Sequence, residues 1–263
     1  MSDVSPVAAI EMSDLRFAYE GNDVLEGIDL TVPPGQIFAY LGPNGAGKTT
    51  TVRVLIGMLQ GFRGTVRVAG IDVRKDPLGV KSRIGYVPES AALYEELTPL
   101  EFLEFIGRVH RMDPGVAERK SKQLLGLLGL RAQMRARMSS FSKGMRQKVL
   151  LIAAMLHNPE VLFLDEPLSG LDANTALTVK EILTQLSAQG KTIFYCSHVL
   201  DVVERLCHRL VIINEGRIIA DGTFEELKAQ SREGTLEHIF TRLTSDGSED
   251  SVAGAFVEAL GED

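Results

Sequence analysis

Cysteine is nearly missing from this 263-residue sequence: Cys196 and Cys207 are the two present. Two thiols cannot build a disulfide framework or a cysteine-ligated metal centre, and so low a count suits a reducing compartment. Long apolar runs are missing as well. The longest, Val149–Leu156, is less than half of the roughly 18 residues that a membrane-spanning helix needs. Met1–Ala9 has neither a basic start nor an apolar stretch, so no signal peptide is expected. A basic excess is also absent. The net charge is −7, and Thr244–Asp263 alone holds six acids and no Lys or Arg, which leaves the rest of the chain at −1. A near-neutral body lacks the net-basic footprint of a nucleic-acid binder, so no nucleic acid is expected as a partner. What remains is ordinary for a globular protein: 44% hydrophobic and 24% charged residues, with a length that fits one α/β domain carrying a small subdomain.

The first 90 residues are punctuated by glycine and proline, a texture of strands and loops. Ile28, Leu30 and Val32 alternate with polar residues as in a half-buried strand, and Pro33-Pro34-Gly35 marks a turn. Gln36–Leu41 is a short apolar run, the pattern of a buried strand. Thr65–Val68 and Ile84–Val87 are further strands. From residue 98 the pattern turns helical. Thr98-Pro99-Leu100-Glu101 supplies an N-cap, a first-position proline and a capping-box glutamate. A second helix is predicted over about 114–128, and a third from Gly144 to Asn158-Pro159. Strands at Val161–Leu164 and Thr192–Cys196 then alternate with helices starting at Asn174 and Val199, which is the rhythm of a parallel α/β sheet. Asn214-Glu215-Gly216 separates two strands as a hairpin turn. The stretch after Leu243 is polar and acidic and is expected to be poorly ordered.

Gly42-Pro43-Asn44-Gly45-Ala46-Gly47-Lys48-Thr49 fits the G-x-x-x-x-G-K-[ST] phosphate loop, after a predicted strand and before a helix predicted from Gly47 to about Leu59. Glycine lets backbone N–H groups approach phosphates, and the helix N-terminus adds partial positive charge. Lys48 is expected to reach the β- and γ-phosphates and Thr49 to ligate Mg²⁺, with Thr50 next to it in the cradle. Val161-Leu162-Phe163-Leu164 is an apolar strand that ends on Asp165 and Glu166. Ligands sit at C-terminal strand ends in parallel sheets. Neighbours on a strand point apart, so the two acids are given different work: Asp165 on Mg²⁺, Glu166 on the attacking water.

Phe141-Ser142-Lys143-Gly144-Met145-Arg146-Gln147, then Ser169-Gly170-Leu171-Asp172, then His198 after Cys196-Ser197 complete an ordered set. Over about residues 10–243 this set resembles the ATPase subunit of ABC transporters. Lys143 and Met145 depart from the usual Leu-Ser-Gly-Gly-Gln signature, and Ser-Lys-Gly-Met is similar to the export or drug-resistance subgroup. So are Gly234–Phe240 and Leu243-Thr244.

The resemblance implies a P-loop NTPase core with an antiparallel β subdomain and an inserted α-helical subdomain at about 90–158, all within 1–243, followed by the acidic 244–263 tail. It implies ATP and Mg²⁺ as ligands. It places Tyr19 (with Phe17 a neighbouring candidate) on adenine, His198 on the γ-phosphate and Glu89 on Mg²⁺ where the family usually has Gln. It also has Ser142, Lys143, Gly144 and Met145 complete the ATP site of a second ATPase subunit, with Asp172 joining the subunits near the bound nucleotide. A separate permease is implied, contacted near Glu89–Leu97, with Ala92, Leu93 and Tyr94 partly exposed. The protein would then be cytoplasmic and held on the inner face of the membrane by that permease. A soluble ABC-type ATPase that remodels a protein partner, such as an iron–sulfur assembly factor, shares all this chemistry and stays open. A DNA-repair ATPase of related sequence would need long heptad insertions, and no heptad run is present.

Overall fold

In the computed structural model, residues 7–89, 93–231 and 234–244 are described. Strands β1 (Ile10–Tyr19) and β2 (Asn22–Val32) form a hairpin, followed by β3 (Ile37–Leu41), α1 (Lys48–Leu55), β4 (Arg63–Val68) and β5 (Ile71–Asp72). Next come α2 (Pro77–Arg83), β6 (Ile84–Val87), α3 (Pro99–Val109), α4 (Pro114–Leu127) and α5 (Lys143–Met155). The chain continues through β7 (Val161–Asp165), α6 (Ala173–Ala188), β8 (Thr192–Cys196), α7 (Leu200–Leu206), β9 (Arg209–Asn214), β10 (Arg217–Gly222), α8 (Phe224–Ser231) and α9 (Leu236–Thr244).

Two sheets result. One is antiparallel, in the order β2-β1-β4-β5; the other runs β10-β9-β3-β8-β7-β6, parallel except for the β10 edge. Alternation along the parallel strands decides which core each side chain joins. Phe38, Tyr40, Phe163, Phe194, Val211 and Ile213 face the antiparallel sheet and α1. Ile37, Leu41, Leu162, Leu164, Ile193 and Ile212 face the C-terminal helices instead. Phe194 centres the first layer, its ring 5.1–5.6 Å from those of Tyr40, Phe163 and Phe38. The insert has its own core, in which Phe102, Leu103 and Leu125 pack on Val149 and Ile152. Helix α5 also sends Leu151 and Ala154 to the main sheet. It therefore joins the insert to the core.

The N-cap of α3 is built as its sequence predicts: Thr98 Oγ1 accepts from Glu101 N and Glu101 Oε2 accepts from Thr98 N (2.8 Å). The β9–β10 turn is also as expected, with φ of 46° at Glu215 and 71° at Gly216. Three expectations need correction. Helix α1 stops at Leu55, four residues early, because Gly57 takes φ 69° and turns the chain toward Pro77. Helix α5 ends at Met155 rather than at Asn158-Pro159. Leu93 is buried in the insert's core and offers no docking surface; Ala92 lies outside the described residues, as does 245–263 of the acidic stretch.

Candidate functional site

Residues 42–47 leave the C-terminal end of β3 and lead into α1. Gly47 is the N-cap of α1 with φ 105°, a conformation that favours glycine, and no side chain caps the helix. The loop is braced at its base: Ala46 N donates to the Pro43 carbonyl (3.2 Å), and Gly216 N donates to the Ala46 carbonyl (3.2 Å). Gly42 is buried, whereas Asn44, Gly45 and Thr49 are exposed and Thr50 is buried. Lys48 Nζ folds back over the loop and donates to the carbonyls of Gly42 (2.6 Å) and Pro43 (2.9 Å). Partial burial lowers the pKa of its ammonium. The Cys196 thiol and the carboxylates of Asp165, Glu166 and Glu89 act against that shift. The loop thus presents open helix N–H groups and a lysine close to three acids.

Asp165 is the last residue of β7, paired in register with Cys196 of β8. Burial first, then the charges of Glu89 and Glu166, push its carboxyl up to about 6. Glu166 has left the strand, with φ 48°. The two acids therefore diverge because the chain turns left-handed at Glu166, and strand alternation is not the cause. The Glu166 carboxylate is held by the β8–α7 connection: Oε1 accepts from His198 N (2.5 Å) and Oε2 from Ser197 Oγ (3.1 Å). His198 Nε2 lies 3.8 Å from the same Oε1. Glu89 stands exposed just past β6 and adds to the field on Asp165 and Lys48.

Ser142 is the N-cap of α5, its Oγ accepting from Met145 N (3.2 Å). Asp172 is the N-cap of α6, accepting from Thr175 N (3.0 Å) and Thr175 Oγ1 (2.6 Å). Those bonds to Thr175 hold its carboxyl below the usual carboxylate range. Tyr19 ends β1 with 40% of its surface exposed, and its ring meets Phe17 edge-on at 4.8 Å. Phe17 is packed against the core, which leaves Tyr19 as the freer aromatic. The structure thus brings Lys48, Glu89, Asp165, Glu166 and His198 together. Among the described residues, no hydrogen bond or ion pair joins Ser142–Met145 to the phosphate loop.

These groups suit a phosphate-bound divalent cation. Among the described residues no cluster of three or more His, Cys, Asp or Glu could cage a metal ion. Mg²⁺ is usually held by one or two carboxylates, waters and substrate phosphates, which Thr49, Asp165 and Glu89 could complete. The raised Asp165 carboxyl, crowded by two other acids, is the group such a cation would relieve. When bound, the metal would neutralise phosphate charge as it develops during cleavage. Sequence reasoning had not singled out Ser197 or Cys196 for the site. Ser197 holds Glu166, and Cys196 lies buried beside Asp165 and Lys48 with its thiol pushed up by burial. The one signal for both was their place between a strand and His198.

A phosphate loop, a strand-end acid pair and a histidine just past the end of the neighbouring strand define a P-loop nucleoside-triphosphatase. The ABC transporter family profile matches residues 25–169. The chain is 40% identical to an uncharacterised ABC transporter ATP-binding protein of Nostoc sp. over 77% of its own length, and spans 61% of that relative. It is 37% identical to the daunorubicin/doxorubicin resistance ATP-binding protein DrrA of Streptomyces peucetius, over 86% of this chain and 69% of that one. A solved ATP-binding subunit of an ABC transporter superposes with a TM-score of 0.85 at 33% identity, covering 90% of this chain and 100% of that chain. The protein belongs to the ABC transporter family, as an ATP-binding and ATP-hydrolysing member.

Proposed function

We propose that two copies of this chain close around ATP and drive a separate membrane permease in the direction of export. The observation that carries the two-subunit reading is the divided site. Lys48, Asp165 and Glu166 converge at one sheet end, while Ser142 caps its own helix with no bond to the phosphate loop among the described residues. A γ-phosphate at Lys48 would be met by the α5 N-terminus of the second copy, at Ser142, Gly144 and Met145, with Lys143 and Asp172 at the joint. Residues 42–50 cradle the phosphates and Tyr19 stacks on adenine. Glu166 polarises the attacking water, and His198 touches the γ-phosphate. Two helix N-termini facing one anion favour closure only while the phosphate is present.

No helix among the described residues is long and apolar enough to cross a membrane; that the permease is another polypeptide rests on the family resemblance. Tyr94 is 62% exposed and meets Phe105 of α3 (45% exposed) edge-on at 6.0 Å, an aromatic pair joining the 93–97 segment to α3 and suited to docking. Export rests on the subgroup resemblance and on the resistance role named for the Streptomyces relative. The ATPase domain spans 1–243, on the cytoplasmic face.

The test is Glu166→Gln. Loss of a general base typically costs 10²- to 10⁴-fold, so turnover should fall at least about a hundredfold while ATP still binds. The protein should then elute as a dimer with ATP and Mg²⁺, and adding Ser142→Arg should dissolve that dimer. A monomer at saturating ATP and Mg²⁺ would overturn the reading. Co-purification of a membrane protein with the tagged chain tests the permease arm; a soluble partner alone would favour the protein-remodelling alternative.

A further inference from the structure

We propose that Lys143 is a positioning residue that fastens the 167–172 segment to the N-terminal turn of α5 in its own subunit. Ser142 and Asp172 then reach the second subunit as one body. The inference rests on the two-subunit reading above.

Four consecutive-face residues of α5 meet that segment. Lys143 Nζ donates to Ser169 Oγ at 2.7 Å. Its stem lies over Gly170, where a Cβ would come within 3.0 Å of Lys143 Cγ. Gly144 admits the Gly170 carbonyl, since a Cβ at 144 would sit 2.4 Å from that oxygen. Gln147 is buried and its Nε2 donates to the Pro167 carbonyl at 3.0 Å. Lys148 Nζ lies 3.9 Å from Asp172 Oδ2. Positions i, i+1, i+4 and i+5 share one side of a helix, so these contacts form one seam.

Three of the four contacts are glycine backbone, a buried amide and a long ion pair. Lys143 is the odd member, because a cation in the first turn of a helix opposes the helix dipole. Its side chain is exposed, so burial does not account for it either. The bond to Ser169 does. Leu168 and Leu171 anchor the flanks of the segment in the main core, but Gly170, with φ 75°, has no side chain to hold the turn between them, and the lysine stem takes that place. Without that bond the Ser169-Gly170 tip would have to be ordered at each closure, at the entropic cost of fixing its backbone. The expected defect therefore lies in closure and turnover, with ATP binding at Lys48 left alone.

Direct contact of Lys143 with the nucleotide is the competing role, and a double-mutant cycle separates the two. In the full chain, Lys143→Met keeps the stem and removes the donor, and Ser169→Ala removes the acceptor. Each should lower kcat about fivefold with KM for ATP within about twofold, and the double variant should be no worse than either single one. Lys143→Arg and Ser169→Thr should retain most activity. Losses that multiply, or a normal Ser169→Ala beside a crippled Lys143→Met, would show Lys143 acting on the nucleotide and overturn the proposal. Melting temperatures and ATP titration of each variant report folding separately from turnover. In the Glu166→Gln background, adding Lys143→Met should weaken the ATP-dependent dimer. A dimer that forms equally well overturns this proposal alone; no dimer with native Lys143 overturns the two-subunit reading and this proposal with it.

Discussion

Helices α1 and α5 both open on a lysine beside a glycine, Gly47-Lys48 and Lys143-Gly144, and their first turns are finished in opposite ways. Gly47 gives α1 no side-chain cap, and Lys48 is half-buried over the phosphate-loop carbonyls. Ser142 caps α5, and Lys143 turns to Ser169 of the same chain. An uncapped N-terminus keeps its orphan N–H groups for a ligand, whereas a capped one has already committed a donor to its own serine. The comparison separates two jobs. On the proposed two-subunit reading, affinity for the nucleotide would reside at α1, and α5 would be completed from within its own subunit before it meets a second one.

The largest expected effect breaks the α1 side. Lys48→Ala leaves the phosphate charge without its half-buried partner, a loss of about 3 kcal/mol or more in ATP affinity, on the scale of a broken buried charge pair. Equilibrium titration of the single subunit measures it. Ser142→Ala, made in parallel, should leave that titration within about twofold, because removing a cap costs helix stability of about 1 kcal/mol and touches no phosphate in the same chain. Equal losses from both variants would erase the distinction between the two helix ends.

Local chemistry made much of this readable in advance. Thr98 and Glu101 name their cap partners within four residues, and Glu215-Gly216 carry their turn in their own φ angles. The phosphate loop is legible because one contiguous segment holds both the glycines and Lys48. What stayed hidden depends on partners far along the chain. Ser197 reaches Glu166 across 31 residues, and Lys143 reaches Ser169 across 26. The left-handed turn at Glu166 is fixed by Cys196 and His198 of another strand end, through Glu166 N to the Cys196 carbonyl and His198 N to Oε1. The burial of Leu93 is hidden for the same reason: the core that covers it draws on α3, α4 and α5 together. Tyr94, next to it, lies at the surface as expected.

A smaller effect tests the crowded acids beside α1. The Asp165 carboxyl is raised from 3.8 to about 6, so its ionised form is less favourable in the folded state than in the unfolded one. Its contribution is therefore destabilising above about pH 6, shrinks as pH falls through 6, and vanishes below the unfolded value. Asp165→Asn should raise the melting temperature of the nucleotide-free protein at pH 7.5, and the gain should disappear by about pH 4. Part of the group is open to solvent, so the gain will be a few degrees at most. A melting temperature lowered at pH 7.5 would show that bonds to the Asp165 carboxylate, of which none is present among the described residues, outweigh its burial.

The smallest effect concerns Glu89, which stands where the resemblance implies a glutamine. Its carboxylate is exposed, yet it is the second largest cause of the raised Asp165 and one of the charges acting on Lys48. A carboxylate in that position still offers an oxygen to Mg²⁺, and binds it more strongly for its charge. The same charge repels phosphate oxygens when the metal is scarce. Exposure lets salt screen that repulsion over about 8–10 Å, which limits it to a few-fold in affinity. Glu89→Gln should thus bind ATP about two- to fivefold better than the native chain at low Mg²⁺, with the difference closing at saturating Mg²⁺ and shrinking in high salt. Titrations across Mg²⁺ and salt concentrations read all three trends. Parallel Mg²⁺ curves for the two proteins would confine Glu89 to raising Asp165 without touching the nucleotide. A variant that binds normally but cannot hydrolyse would instead move the carboxylate into the chemical step, beside Glu166.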